Sequence, residues 1–432
     1  MERNQTNSEL NPLERMQSHP LRYVVMVMLL TWIAYSASGF RNPLTPILHA
    51  DNYEGAAIRQ VVFSLAALSS LILLFFTKSL GTALTLNRTM LLLSIIVPLS
   101  IIWSDDQALT LKRTFVFWFG LVTLYSTVYS AKQPVQLMLK MITLSAAAIA
   151  IISLTIHFAF GQAYTVNPVR PGLAGIASHP NNLAPIMSIA LLLSLGIRAF
   201  NFQGKILLNV FQVLILVCLV LTNSITTMLS TIVGLMVYLI LKVNHYLRGV
   251  IYLLLFSTAS IIALVGVDTF KSAIFDATGR DESLSGRDEI WGVVSAEAMQ
   301  RPFFGRGFGA FWTEGKGREL VQTWNPRQSH NSYLDLWLDL GAVGVIVMML
   351  AFPVTLLSRW KSVRGEIGTP QRQAMAAIYA MVIGYMCTYA FAQSYFLRFD
   401  TFVFMSMCWS VIVIANPTQT SVDAEFRDSA FA

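Results

Sequence analysis

Apolar runs long enough to span a bilayer recur along almost the whole chain. A helix needs about 20 such residues to cross the hydrocarbon. The 432 residues are 55% hydrophobic and only 12% charged, whereas soluble domains carry about 25% charged residues. A soluble core cannot hide this much apolar surface, so the solvent around the chain must be lipid. The fold class expected is all-α, a polytopic integral membrane protein with about 12 transmembrane helices. The spans fall near 22–39, 61–77, 89–103, 114–130, 139–160, 183–199, 206–222, 225–241, 249–267, 332–357, 374–392 and 399–415.

The polar tail MERNQTNSELNPLERMQSHP precedes the first span without a convincing cleavage site. It reads as part of a signal anchor rather than a removed signal peptide. With the N-terminus in the cytoplasm, most Lys and Arg of the short segments fall on the cytoplasmic side. The short outside segments keep only Arg41, Arg59, Lys112, Arg113, Arg170 and Arg398. This is the positive-inside bias, and it puts both termini in the cytoplasm. It also accounts for the net charge of +7 without a nucleic-acid partner. The expected organisation is a cytoplasmic tail (1–21), helices one to nine (22–267), a periplasmic catalytic loop (268–331), helices ten to twelve (332–415) and a second cytoplasmic tail (416–432). Cys218, Cys387 and Cys408 lie in apolar runs with no metal spacing, and no disulfide framework is expected.

The long outer segment carries the chemistry. Within it, SGRDEIWGVVSAEAMQ has the pattern of a short amphipathic helix along the membrane surface, with Ser285 as cap and Asp288 closing a capping box. Ile290, Trp291, Val294 and Ala298 share roughly one face. RPFFGRGFGAFW follows, with glycines for turns and aromatics suited to the interface. Arg280, Arg287, Arg306 and Arg327 of this segment, and Arg170 before the sixth span, are candidates to grip phosphate. The guanidinium fork stays charged and binds phosphate through two donors. Each can instead be a solvated or headgroup contact. Arg170 stands out for its Pro/Gly-bracketed turn, and Arg287 for its helix N-terminus, where backbone amides also favour an anion.

SHNSYLDLWLDLGAVG then leads into the tenth span. Asn331 or Ser332 is a natural N-cap, with Asp335 able to complete a box with Ser332. His330 stands just outside that helix, where it is either a base or an interfacial anchor. Asp335 and Asp339, four apart, share a helix face. A structural role, paired with a loop arginine, suits them better than catalysis. Gly341 and Gly344 would allow close helix packing.

These pieces resemble the O-antigen ligase/Wzy-type superfamily of bacterial cell-surface glycan assembly. His330, Asn331, Gly341 and Gly344 match its His-Asn-x9-Gly-x2-Gly signature. TGRDESLSGRDEIW resembles the Gly-Arg-Asp, Ser-Gly-Arg and Trp pattern of the ExoQ-like exopolysaccharide polymerase branch. WSDDQALTLKRTF, with Trp103, Ser104 and Arg113, resembles the first outer-loop motif, and RPGLAGIASHPNNLA the turn before the sixth span. One departure is Ile225, where family members usually carry Arg or Lys.

The resemblance implies a metal-independent, inverting glycosyl transfer that needs no cofactor. It joins undecaprenyl-diphosphate-linked oligosaccharide repeat units at the periplasmic face of the inner membrane. Arg170 and Arg287, with Arg280 as a second contact, would hold the diphosphate. His330 would take the acceptor's proton, with Asn331 among the substrate-binding residues. A flippase and a chain-length regulator are the implied partners besides membrane lipid. The rival within this chemistry is an O-antigen ligase acting on lipid A core. The rival outside it is a polysaccharide transporter or flippase, which would carry broken helices and mid-membrane polar sites.

Overall fold

The computed structural model of the chain describes residues 11–38, 55–79, 81, 88–161, 165–166, 172–177, 179–198, 204–243, 287–313, 317–320, 326–358 and 370–415. The expected ninth span, near 249–267, lies outside them, as do Arg170, Arg280 and the Ser285 cap. Among the described residues the structure is helical, with one isolated bridge, Val166 to Leu173. In hydrocarbon a helix is the form that pairs its own backbone amides, and the protein is an all-α membrane protein.

Helices cover the other expected spans. Pro134–Phe160, Pro180–Ile197, Ile225–Lys242, Ser332–Leu357 and Gln373–Ala390 are long and apolar enough to cross a membrane. Leu21–Ser36, Gln60–Phe76, Met90–Trp103, Lys205–Leu221 and Phe402–Ala415 are shorter apolar helices. Gln107–Ser130 lies over the fourth span, capped by Asp106, whose side chain accepts from Leu109 N. Proline opens Pro134–Phe160 and Pro180–Ile197, where its missing N–H costs nothing. Phe402–Ala415 is buried on every face from Phe402 to Ile414 and forms the middle of the bundle. The outermost helices turn Phe75, Phe158 and Ile206 outward, each more than three-quarters exposed, as lipid-facing residues should be.

One end of the bundle gathers the connecting segments that matter. There Asp105 N donates to Arg306 O, Leu173 N to Leu221 O, and Ser332 Oγ to Gln393 O. Trp32 Nε1 donates to Phe399 O at the same end. At the other end Gln373 Nε2 donates to Leu195 O and Gln17 Nε2 to Ala131 O. This alternation is the up-and-down threading that the spans imply.

The tenth span differs from expectation. Helix Ser332–Ser358 is interrupted at Gly341, whose φ is 65° and ψ −167°. A short helix, 332–340, therefore precedes the membrane-length piece. The break frees backbone groups that the segment 302–307 takes up. Ala342 N donates to Pro302 O at 2.8 Å and Val343 N to Phe303 O at 3.1 Å. Arg306 N donates to Leu338 O at 2.8 Å and Gly307 N to Asp339 O at 2.9 Å. A Cβ on Gly341 would lie 2.2 Å from the Phe303 carbonyl carbon, and one on Gly344 2.2 Å from Leu340 Cβ. The two glycines therefore serve a helix break and the approach of a loop to it.

The helix Arg287–Gln300 packs its apolar face on protein. Ile290, Val294 and Ala298 are buried against Phe311, Trp312 and Leu338, with Trp337 alongside. The apolar face is covered by protein. Gly341→Ala is expected to destabilise the folded protein by about 1–3 kcal/mol, from the left-handed backbone and the collision together. At Gly292 a methyl group would meet no atom within 4 Å. That position should tolerate Ala and gain up to about 1 kcal/mol of helix propensity. Thermal unfolding of the two variants in the same detergent should show opposite shifts.

Candidate active site

The clasp that positions the site begins at the segment 103–110. Ser104 Oγ lies 2.7 Å from Thr110 Oγ1, and Thr110 Oγ1 donates to Phe308 O at 3.0 Å. Trp103 Nε1 donates to Phe304 O at 2.7 Å. Arg306, expected among the phosphate-gripping candidates, is instead paired with Asp105 at 3.1 Å and with Glu297. Arg301 reaches the other oxygen of Asp105 at 2.8 Å. Two segments distant in sequence, 103–110 and 297–308, are thereby tied together. Gly305, Gly307 and Gly309 all have positive φ, and Gly307 sits so close to Ser104 that a Cβ would lie 2.4 Å from its Oγ.

The entry to helix 332–340 is fixed from several sides. Asn331 is the cap of the two expected: its Oδ1 accepts from Tyr333 N at 3.0 Å and Leu334 N at 3.2 Å. Asn331 N donates to Ser329 Oγ and to Ser394 Oγ, each at 3.1 Å. Asp335 reaches past Ser332 to accept from Ser329 N at 3.1 Å and from Trp312 Nε1 at 3.0 Å. Its partners are neutral donors, where a loop arginine was expected. Asp339 faces the Arg113 guanidinium and the Gly309 amide. Asn331 and Asp335 thus hold the turn that carries His330.

His330 is in the left-handed region, φ 55°, which a non-glycine residue adopts at a cost of about 1–3 kcal/mol and which the surroundings must impose. The half-buried imidazole has Nδ1 at 3.4 Å from Gln328 Nε2 and 3.4 Å from Gln393 Oε1. Behind Gln328 stands Arg398, whose Nη1 donates to Gln328 Oε1 at 2.5 Å. Asp400 lies 3.4 Å from Arg398 Nη2, and its charge raises the guanidinium pKa above the ordinary value. Arg398 therefore carries a full positive charge at the mouth of the site. Arg287 opens the helix Arg287–Gln300. One turn on, Trp291 Nε1 donates to Ser329 O at 3.1 Å, so the start of that helix lies against the residue next to His330.

The turn before the sixth span reaches the same site through aromatic rings. His179 caps helix Pro180–Ile197, its Nδ1 accepting from Asn181 N. Asn181 Oδ1 accepts from Ser224 Oγ at 3.2 Å, and Tyr389 OH donates to Asn181 O at 3.5 Å. Tyr389 stacks on Tyr395, with 5.9 Å between centroids. Tyr395 N donates to Ser332 Oγ at 2.9 Å. Arg170, in the same turn, lies outside the described residues, as does Arg280. The motif turn 179–182 and the SHNS turn are thus linked. Arg327 is exposed.

Sequence reasoning missed Gln328, Gln393 and Arg398. The signal was present: AQSYFLRFD is a polar island between two apolar spans. The last span was expected from 399, which would have taken Asp400 into the membrane, whereas the helix begins at Phe402.

The sequence model of the O-antigen ligase family matches residues 210–349, which include His330, Gly341 and Gly344. The chain resembles the O-antigen ligase/Wzy superfamily on its ExoQ-like side. The exopolysaccharide production protein ExoQ of Rhizobium meliloti (strain 1021) is 24% identical to it over 182 residues, 38% of this chain. The match spans 41% of the length of ExoQ. Gln393 and Arg398 lie beyond the segment matched by the O-antigen ligase family model.

Proposed function

We propose that the protein is an exopolysaccharide polymerase that joins undecaprenyl-diphosphate-linked repeat units by inverting, metal-independent transfer at the periplasmic face of the inner membrane. The observation that carries this reading is His330, held in a strained backbone conformation beside Arg398 and the Arg287 helix start. A hydroxyl of the acceptor sugar loses its proton to the imidazole as its oxygen bonds to the anomeric carbon of the donor. The bond from that carbon to the diphosphate breaks, and the electron pair leaves with the phosphate. Attack opposite the leaving group inverts the anomeric centre. Arginine side chains meet the growing negative charge, an electrostatic role. Arg287, with Arg170 and Arg280, is assigned to the diphosphate. Lipid-linked donor, flippase and chain-length regulator are the partners this reading requires.

A second reading, ligation onto lipid A core, is favoured by the match to the O-antigen ligase family. It shares the donor and the base, and differs in the acceptor. Purified protein with lipid-linked donor separates the two: polymer forms on a second lipid-linked unit in the first case, and only on added lipid A core in the second.

Four outcomes are expected. Polymer should form in excess EDTA; a loss restored by Mg²⁺ would reject metal independence. His330→Gln should fold and insert but lose about 100- to 10,000-fold in rate, the usual range for general-base help. Wild-type rate should fall as the pH is lowered, because protonation removes the lone pair, and the residual rate of His330→Gln should lack that fall. A variant retaining more than about a tenth of the wild-type rate would make the histidine structural. Orientation is tested with Met299→Cys, at an exposed position of the helix Arg287–Gln300, in a background lacking the three native cysteines. An impermeant maleimide should label it in intact spheroplasts; labelling only after lysis would put the site on the cytoplasmic side.

A further inference from the structure

Two glutamine side chains from different segments converge on one nitrogen of His330. Gln328 is oriented by its neighbour. Arg398 can only donate, and it donates to Gln328 Oε1, so the NH2 end of that amide faces the ring. Gln393 presents Oε1, which can only accept. Its backbone is fixed, since Gln393 O accepts from Ser332 Oγ at 2.6 Å. The two amides therefore favour opposite states of Nδ1. Gln393 is satisfied when Nδ1 carries a proton, and Gln328 when it carries a lone pair. Both contacts are 3.4 Å, longer than an ordinary hydrogen bond, so neither side has captured the ring.

We infer that Gln393 and the Arg398–Gln328 pair are positioning residues that set the tautomer and the charge of His330. Gln393 places the ring proton on Nδ1 and hence the lone pair on Nε2, and Gln328 opposes that placement. The inference rests on the reading of His330 as the base. Other charges also act on the ring. Arg398, which bonds Gln328, and its partner Asp400 lie on the segment 391–401, and Asp335 lies at the start of helix 332–340, where it holds Ser329 N. Asp339 lies one turn further along with Arg113, and Arg287 on the adjoining helix. These charges favour or disfavour the imidazolium as a whole. The two amides, in contact with one nitrogen, also distinguish the neutral tautomers.

The test is the pH dependence of kcat in Gln393→Leu, Gln393→Glu and Gln328→Leu, beside wild type and His330→Gln. Removing the acceptor in Gln393→Leu takes the partner from both the productive tautomer and the imidazolium. The acid limb should move to lower pH and kcat fall roughly tenfold, the equivalent of one hydrogen bond, with KM little changed. Gln393→Glu puts an anion in the same place and should move the limb to higher pH by about one unit or more. Gln328→Leu removes the opposing donor and should also move it upward. A limb that fails to move to lower pH in Gln393→Leu, whatever Gln393→Glu does, overturns the inference while His330→Gln remains inactive. A merely structural role for Gln393 predicts that result: lost rate in Gln393→Leu with an unchanged profile. An active His330→Gln instead removes the base assignment beneath it, so the two failures are distinguishable.

Discussion

Away from water, a backbone N–H or C=O without a partner costs about 1–3 kcal/mol, and in hydrocarbon no solvent can supply one. The break at Gly341 creates such groups where the tenth helix enters the bundle. Four hydrogen bonds from the segment 302–307 satisfy them. The segment 302–307 is consequently fastened to the bundle through its backbone, at one register, and not only through side chains. A loop docked in this way has little freedom to slide. Its neighbours on either side, the helix Arg287–Gln300 and the turn at 329–331, inherit that position.

From this anchor the rest of the site follows. The glycines at 305, 307 and 309 let the chain approach Asp339, Ser104 and Arg113 at distances that a Cβ would forbid. Ion pairs of Asp105 and Glu297 with Arg301 and Arg306 close the other side. Such partly exposed pairs are each worth little by themselves; their use here is to fix which segments meet. Asp335 then draws Trp312 and Ser329 together, and Asn331 is tied to Ser394. His330 has little choice left, and its left-handed backbone is the result of constraints on both flanks. Strain kept at a residue with a titratable ring, at the mouth of a bundle, is the kind of feature that points to chemistry.

The arginines divide by environment. Arg301 and Arg306 are spent on carboxylates, and Arg113 on Gly309 O and Asp339. Arg398 pairs with Asp400 and reaches His330 through Gln328. The sequence assigns all of them the same charge and the same fork. Which carboxylate or amide each guanidinium meets is a matter of which segments are neighbours.

The sequence by itself determined the solvent, and so the class of fold, because apolar runs of membrane length leave a helix as the only way to pair the backbone. It also placed the start of the tenth helix at Asn331 or Ser332, since a cap acts within one turn of chain. The spacing of His330, Asn331, Gly341 and Gly344 was legible as a motif, but its meaning was not. Close helix packing was the simplest reading of the glycines. The break appeared only once Phe303 and Phe304 were seen against Gly341. Likewise the amphipathic helix at 287–300 was legible, but not what covers its face. The partners of His330 were hidden for the same reason. Gln393 and Arg398 lie more than sixty residues further along the chain, across two helices. Local periodicity and capping record short-range forces, and they carry no information on which distant segments fold back to share a hydrogen bond. That was decided by the packing of the bundle, which brought the segment 391–401 and the turn 328–331 to the same end.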